Sequence, residues 1–265
     1  MNFDALKPLL DWLLILGISG SRMFGFCSLS VFFASQYLSG TARRVVTVAF
    51  AMLLMPAVYA QGLAVLNESR WLFVLILFKE ALLGMILGWL TNFWFYAAQS
   101  VGFILDTQRG ASMASLFDPL SNSQTSPLGD FLIKFVMVLA VSCGGLFLIL
   151  KGVYATYELC PIFTFPTALG KAWIHFFNHG MGTELFNQIA LLGGPVLFIL
   201  FLAEFGLGLV TRFAPQLNVF FLSMPIKSEL STFFFILYLY YLAQYFAGRF
   251  DCRTVILQFL KLLHE

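Results

Sequence analysis

The chain has 265 residues, of which 60% are hydrophobic and only 11% are charged. A soluble domain of average composition carries about 25% charged residues, so this chain has too little charge to cover a globule of its size in water. Its net charge of +2 is spread without a basic cluster, which excludes the concentrated basic face of a nucleic-acid-binding protein. The composition predicts an all-α integral membrane protein that crosses the bilayer several times.

Neither a metal site nor a cofactor site is indicated. Four cysteines stand far apart and form no CxxC motif: Cys27, Cys143, Cys160 and Cys252. His175 and His179 have the spacing of two metal ligands on a helix, with Glu184 downstream, but the HExxH pattern is missing. We interpret that segment as an aromatic helix at the membrane interface. No phosphate loop, nucleophile elbow or pair of carboxylates is present, so we expect a protein that is not an enzyme and needs no cofactor.

Six uncharged runs have about the length of a membrane-spanning helix, near 20 residues, or approach it. They are Met23–Ala42, Val45–Asn67, Ala81–Leu105, Phe135–Leu150, Leu185–Ala203 and Leu230–Gly248. Arg43 and Arg44 separate the first two runs and predict the tight turn of a helical hairpin. The first residues lack the positive region of a cleavable signal, since Asp4 offsets Lys7, so we expect mature sequence there. Residues 1–265 are predicted to form a single membrane-embedded domain, with a short amphipathic tail at about 249–265.

Glycines predict close packing between helices. Gly84 and Gly88 form a small-xxx-small pair of the kind that lets two helix backbones approach. Gly144-Gly145 and Gly193-Gly194-Pro195 interrupt two other apolar runs and predict breaks in those helices. A broken helix at membrane depth needs neighbouring protein to satisfy its freed backbone groups, so we expect helices packed against partners.

Charged residues inside the apolar runs require partners, because an isolated charge in the membrane costs a few kcal/mol. Glu204 interrupts a long apolar stretch, with Arg212 two turns later. An ion pair within or between subunits is favoured over a proton or ion relay, which normally needs a chain of acids. Lys79 and Glu80 are adjacent and point to different faces of a helix. They predict either an anchor at the membrane interface or a contact with a neighbouring subunit.

The segment after Asp106 differs from the apolar runs in its composition. Asp106 and Arg109 have the i, i+3 spacing of an ion pair, and Gly110 allows the chain to turn. Residues 121–126 are then six consecutive uncharged polar residues. Two interpretations remain open, an ordinary surface loop and a flexible plug that closes an aqueous path. The candidate plug residues are Arg109, Gly110, Met113, Phe117, Asp118, Pro119, Asn122, Gln124, Ser126 and Pro127.

These motifs resemble the FliR/SpaR/SctT family of the bacterial type III secretion export apparatus. The sequence GFILDTQRGASMASLFDP at Gly102–Pro119, followed by SQTSPLG at Ser123–Gly129, is similar to the family's central signature. So are Ala203–Phe220 and MPIKS at Met224–Ser228, and the Lys79-Glu80 step with its glycines. The resemblance covers nearly the whole chain. The form of the second segment resembles the virulence, or injectisome, branch more than the flagellar branch.

The resemblance implies a structural and gating subunit of an export gate in the bacterial inner membrane, built with two other small membrane-protein families. Its helices would be bent hairpins in a helical, cone-like hetero-oligomer, and unfolded secreted proteins would pass through the centre. The loop Arg109–Gly129 would help to close the pore, together with methionines of partner subunits. The charged residues would form packing or inter-subunit ion pairs: Lys79, Glu80, Asp106, Arg109, Glu204, Arg212, Lys227 and Glu229.

The alternative is a stand-alone secondary transporter for a small solute. Such transporters are built from inverted repeats around a binding site at the membrane midplane. The two halves of this chain show no convincing internal repeat, and few polar groups are available for such a site. A transporter would also be stable and active alone, whereas a gate subunit would need its partners.

Overall fold

The computed structural model describes residues 3–68, 70–111, 126–164, 182–214, 216 and 219–248. Within these ranges the chain forms α-helices and one short 3₁₀ turn, Val31–Phe33, and no strand. The helices are α1 Phe3–Leu29, α2 Gly40–Glu68, α3 Arg70–Thr91, α4 Phe93–Gln108, α5 Pro127–Ser142, α6 Gly145–Leu159, α7 Gly182–Phe213 and α8 Val219–Ala247. The prediction of an all-α protein is confirmed. The predicted tail at 249–265 and the histidines His175 and His179 lie outside the described residues.

Among the described residues, three helical segments are long and apolar enough to cross a membrane. They are Asp11–Leu29, Trp71–Thr91 and Gly182–Phe213. The count rises to as many as four if α5 and α6 are taken together as one interrupted span. The structure therefore agrees with the prediction of a membrane protein with several apolar helices.

The first apolar run is broken well before the predicted position. α1 ends at Leu29, and α2 begins at Gly40 after the turn at Val31–Phe33. The Ala42 amide donates to Ser39 Oγ at 3.4 Å, so Ser39 lies where an N-cap residue is expected. The prediction of a break at Arg43 and Arg44 is wrong, because the capping side chain lies four residues earlier and both arginines belong to α2.

The third run is also broken, between α3 and α4, at Asn92. This side chain is fully buried. Its amide group forms hydrogen bonds with the free backbone groups at the end of α1. Asn92 Nδ2 donates to the Leu29 carbonyl at 2.7 Å, and Asn92 Oδ1 accepts from the Val31 amide at 2.9 Å. One asparagine therefore compensates for the missing helix hydrogen bonds of a neighbouring break.

Glycine and proline predict one break correctly and another incorrectly. Gly144, with φ 74°, separates α5 from α6, as the Gly144-Gly145 pair predicts. In contrast, α7 continues through Gly193, Gly194 and Pro195 without interruption, so the predicted break there is wrong. Pro195 lacks only its own N–H, and a helix of 32 residues tolerates the loss of that bond.

The chain divides into two compact units. The first unit contains the described residues up to 92 and those of 149–164, and the second contains the described residues of 93–148 and 182–248. The predicted organisation as a single membrane-embedded domain stays a prediction.

In the first unit α1 and α3 meet backbone to backbone. A Cβ added at Gly84 would lie 1.9 Å from the Arg22 carbonyl oxygen, and one at Gly88 would lie 2.7 Å from the Phe26 oxygen. From the other side, a Cβ at Gly25 would lie 2.2 Å from the Ala81 oxygen. The close packing predicted for Gly84 and Gly88 is confirmed, because any side chain at these positions would separate the two helices.

In the second unit α4 packs against α5 and α7, and α8 packs against α7. The α4–α5 crossing is again a glycine contact, since a Cβ added at Gly102 would lie 2.4 Å from the Gly129 nitrogen. Apolar side chains fill the space between α4, α5 and α7, with Leu105, Leu132 and Val196 almost completely buried. This packing fixes the C-terminus of α4 beside the N-terminus of α5.

Candidate functional site

The described part of the candidate plug segment is its stem, formed by the end of α4 and the start of α5. Arg109 and Gly110 follow the last turn of α4, and Ser126 and Pro127 open α5. The other candidate plug residues, Met113, Phe117, Asp118, Pro119, Asn122 and Gln124, lie outside the described residues.

Asp106 connects the two ends of this stem. Its Oδ2 accepts a hydrogen bond from Ser126 Oγ at 2.6 Å and another from the Leu128 amide at 2.9 Å. The side chain is only 4% exposed. A carboxylate from the last turn of α4 therefore caps the first turn of α5, across the segment 112–125 that joins the two helices in sequence.

The start of α5 supplies the donors that hold this carboxylate. Ser126 is the N-cap residue, since its Oγ also accepts from the Gly129 amide at 3.0 Å. Pro127 occupies the first turn, where a missing N–H costs nothing. The positive end of the α5 dipole favours a negative charge at this place, whereas the C-terminus of α4 does not. Asp106 is thus stabilised mainly by the helix that follows the loop.

Arg109 balances the charge of Asp106. Its Nη2 lies 2.6 Å from Asp106 Oδ1, one helical turn away on α4. A cation at the C-terminus of α4 is also favoured by the dipole of that helix. The structure therefore brings together the i, i+3 pair that the sequence suggests, and adds Ser126 and Leu128 as partners that the sequence did not indicate.

Gly110 turns the chain out of α4. Its φ of 85° is left-handed, a conformation that glycine adopts at helix ends without the steric cost of a Cβ. A Cβ added at Gly110 would lie 3.2 Å from Met224 Cγ on α8, so the stem rests against that methionine. Glycine at this position serves both the turn and the contact.

A second ion pair of this unit joins α7 to α8. Lys227 Nζ lies 3.0 Å from Glu204 Oε1; the lysine side chain is 10% exposed and the glutamate 61%. Sequence reasoning considered Arg212 as a partner of Glu204, and the structure pairs it with Lys227. Arg212 and Glu229 are both exposed, and within the described ranges neither lies in an ion pair.

The other predicted charges belong to a buried cluster in the first unit. Glu80 is fully buried and lies between two cations. Arg22 Nε donates to Glu80 Oε2 at 2.6 Å, and Lys79 Nζ lies 2.8 Å from Glu80 Oε1. Lys79 and Glu80 are consecutive on α3, and their charged groups meet all the same. Both side chains are buried within the first unit.

Arg22 and Lys79 also hold the last turn of α6 and the chain that follows it. Arg22 donates to Thr156 Oγ1 and to the Cys160 carbonyl, each at 2.9 Å, and its guanidinium lies 4.1 Å from the centre of the Tyr157 ring. Lys79 Nζ donates to the Thr164 carbonyl at 2.9 Å. These acceptors compensate for the excess of two cations over one carboxylate.

Sequence reasoning missed Arg22 as a member of this cluster. The available signal was its position, a single arginine within the apolar stretch from Leu9 to Ala42, where a charge requires a partner. Nothing in the sequence identified Glu80 as that partner, because 58 residues separate the two. Over the described residues, no three side chains of the metal-ligating types come together.

Comparisons with known proteins give one consistent result. Residues 13–252 match the family described as bacterial export proteins, family 1. The Yop proteins translocation protein T of Yersinia pestis is 35% identical, over 88% of this chain and 87% of its own length. The surface presentation of antigens protein SpaR of Salmonella typhimurium is 30% identical over 78% of this chain and 76% of its own length. The flagellar biosynthetic protein FliR of Bacillus subtilis is 31% identical over 60% of this chain and 61% of its own length.

Replacing Glu80 by glutamine should destabilise the first unit strongly. Glutamine has the same shape but leaves Arg22 and Lys79 buried without a counter-charge, and breaking such a pair costs about 3–5 kcal/mol. Thermal unfolding of the chain in its complex, purified in detergent and followed by circular dichroism, measures the effect. Glu158→Gln is the matched control, since Glu158 is exposed in the same unit. Equal transition temperatures for the two variants would contradict the role of Glu80.

Replacing Asp106 by asparagine should loosen the stem. Hydrogen bonds to a charged group contribute about 1.5–3 kcal/mol, so their weakening should speed amide exchange at Leu128 and Gly129 by roughly tenfold to a hundredfold. Hydrogen–deuterium exchange with mass spectrometry measures these amides. Asp130→Asn is the control, because it removes the same charge from an exposed position in the first turn of α5. Unchanged exchange in Asp106→Asn would show that the carboxylate does not hold the stem.

Proposed function

The chain belongs to the bacterial export proteins, family 1, and on this premise we propose that it is a structural and gating subunit of a type III protein-secretion export gate. The observation that carries the proposal is the family match over residues 13–252, nearly the whole chain. The FliR/SpaR/SctT resemblance read from the sequence motifs is thereby confirmed. The function follows from the relatives, whose names are those of translocation, secretion and flagellar biosynthesis components.

The virulence branch is favoured over the flagellar branch. The Yersinia pestis relative is 35% identical over 88% of this chain, whereas the FliR of Bacillus subtilis is 31% identical over 60% of it. The alternative of a stand-alone solute transporter is not supported, since the relatives are secretion and biosynthesis proteins. Membership also supports a structural role over an enzymatic one.

The proposed location is the bacterial inner membrane, with several passes, in a hetero-oligomer with other small export-gate subunits. The second half of α7 supports this, because large apolar side chains along it are exposed, among them Phe198, Phe201, Phe205 and Phe213. A surface of this kind requires lipid or protein against it. The proposed cargo consists of unfolded secreted proteins that pass through the assembled gate. The exposed Arg212 and Glu229 are available for ion pairs with other subunits.

We propose that the loop Arg109–Gly129 helps to close the pore as a plug. Its composition supports this role, because uncharged polar residues fill an aqueous path without binding a particular passing sequence. The stem supports it as well. Asp106 bonds to residues at both ends of the loop, so the proposed plug would start from two fixed ends. Between the two ends, residues 111–125 contain one charged residue, Asp118.

Membership of the gate is tested by affinity purification from native bacterial membranes and mass spectrometry of the intact complex. We expect the chain to be recovered with several copies of two smaller hydrophobic proteins, because its exposed apolar helices require partners. Recovery as a stable monomer or homodimer would refute the gate assignment. A detergent screen controls for dissociation during extraction.

The plug is tested by deleting residues 122–125, which shortens the loop and keeps Ser126, the cap of α5. The assembled gate should leak small solutes more than the wild type does, measured as uptake of a membrane-impermeant dye. The deletion variant must first be recovered with the same partners as the wild type. Normal assembly with unchanged permeability would count against the plug while leaving gate membership intact.

A further inference from the structure

A lateral groove of about 570 Å³ opens on the first unit between α1, α2 and α3. Its lining carries no charged side chain, and its size falls within the range of about 300–1,000 Å³ typical of sites for organic ligands. A Cβ added at Gly20 would lie 3.0 Å from Ala51 Cβ, so α1 and α2 touch at the floor. A Cβ at Gly17 would meet nothing within 4 Å, so the space above Gly17 is open.

Two arginines continue the lining of this groove along α2. The α2 side chains that line it are Thr47, Val48 and Ala51. Residues four apart lie on one face of a helix, so Arg43 continues the row of Thr47 and Ala51, and Arg44 continues the row of Val48. Thr47 Oγ1 donates to the Arg43 carbonyl at 2.8 Å, which holds the Thr47 side chain against the preceding turn of α2. The arginines therefore stand one turn, about 6 Å, beyond the apolar lining.

The charges of these arginines are not balanced within the described part of the chain. No carboxylate described there lies within ion-pair distance of either one, and Arg44 Nε donates only to the Gly40 carbonyl, at 3.1 Å. Both lie near the N-terminus of α2, where the positive end of the helix dipole disfavours a cation and favours an anion. An external anionic group at this place would be stabilised by the helix and by both guanidinium groups.

We propose that this surface binds an anionic glycerophospholipid, with its phosphate at Arg43 and Arg44 and one acyl chain in the groove. The groove lies on two of the segments that are long and apolar enough to cross the membrane, Asp11–Leu29 and Trp71–Thr91, so in a bilayer acyl chains would surround it. A phospholipid carries an anionic phosphate and a hydrocarbon chain in one molecule. The phosphate would pair with the two arginines, and the chain would fill the apolar groove beside them. A free phosphate would leave the groove empty, and an uncharged partner helix would leave the arginines without a counter-charge.

The test uses the full-length chain in the complex recovered from native membranes, titrated with phosphatidylglycerol or phosphatidylcholine and measured by native mass spectrometry. Wild-type protein should prefer phosphatidylglycerol. Arg43→Gln with Arg44→Gln should lower that affinity by about thirtyfold at low salt, since each basic residue near an anionic surface contributes about a fivefold factor. Lys151→Gln, an exposed cation of the same unit, is the control and should bind as the wild type does.

The groove is tested separately by Gly17→Leu, which fills the open space over α1. It should reduce binding of phosphatidylglycerol about tenfold, while Gly206→Leu should not, although a Cβ at Gly206 also meets nothing within 4 Å. Equal affinity for the two lipids in the wild type would overturn the proposal. So would equal binding by Gly17→Leu and Gly206→Leu. A photoreactive side chain at Val48 that captures a protein instead of lipid in native membranes would assign the groove to a partner subunit and overturn it too.

Discussion

The first unit depends on the position of one carboxylate, that of Glu80, between two buried cations. In an apolar environment each of these charges is costly alone, and each is stable only because the others are present. Gly84, one turn after Glu80, makes this geometry possible. It allows α3 to touch the Arg22 carbonyl, and the Arg22 side chain then reaches the carboxylate. The carbonyls of Cys160 and Thr164 complete the cluster, so the chain after α6 is held by the same charges.

The stem in the second unit follows the same principle with a single carboxylate. Asp106 takes its donors from the helix that follows the loop and its counter-charge from Arg109. Because these bonds join residues on both sides of 112–125, they fix the two ends of that segment.

Hydropathy was sufficient to predict the helical class, the membrane setting and the approximate place of most helices, because length and apolar composition decide those properties. The motifs around Asp106 and Glu204 were sufficient to identify the family. The ion-pair partners of the charged side chains could not be predicted. Arg22 and Glu80 are 58 residues apart, and Glu204 pairs with Lys227 and not with the nearer Arg212. Such pairs depend on which helices pack against each other in three dimensions. A single sequence does not show that packing directly.

The helix breaks were predicted least well, for a reason that the structure makes clear. Glycine and proline at Gly193–Pro195 do not interrupt α7, whereas Asn92, with neither residue beside it, separates α3 from α4. In an apolar environment a break is stable only where the freed backbone groups find partners. Asn92 provides them for Leu29 and Val31, and Ser126 with Asp106 provides them for the start of α5. A small polar side chain that can reach the open end of a neighbouring helix is therefore a better sign of a break in this protein than a residue that merely disfavours helix.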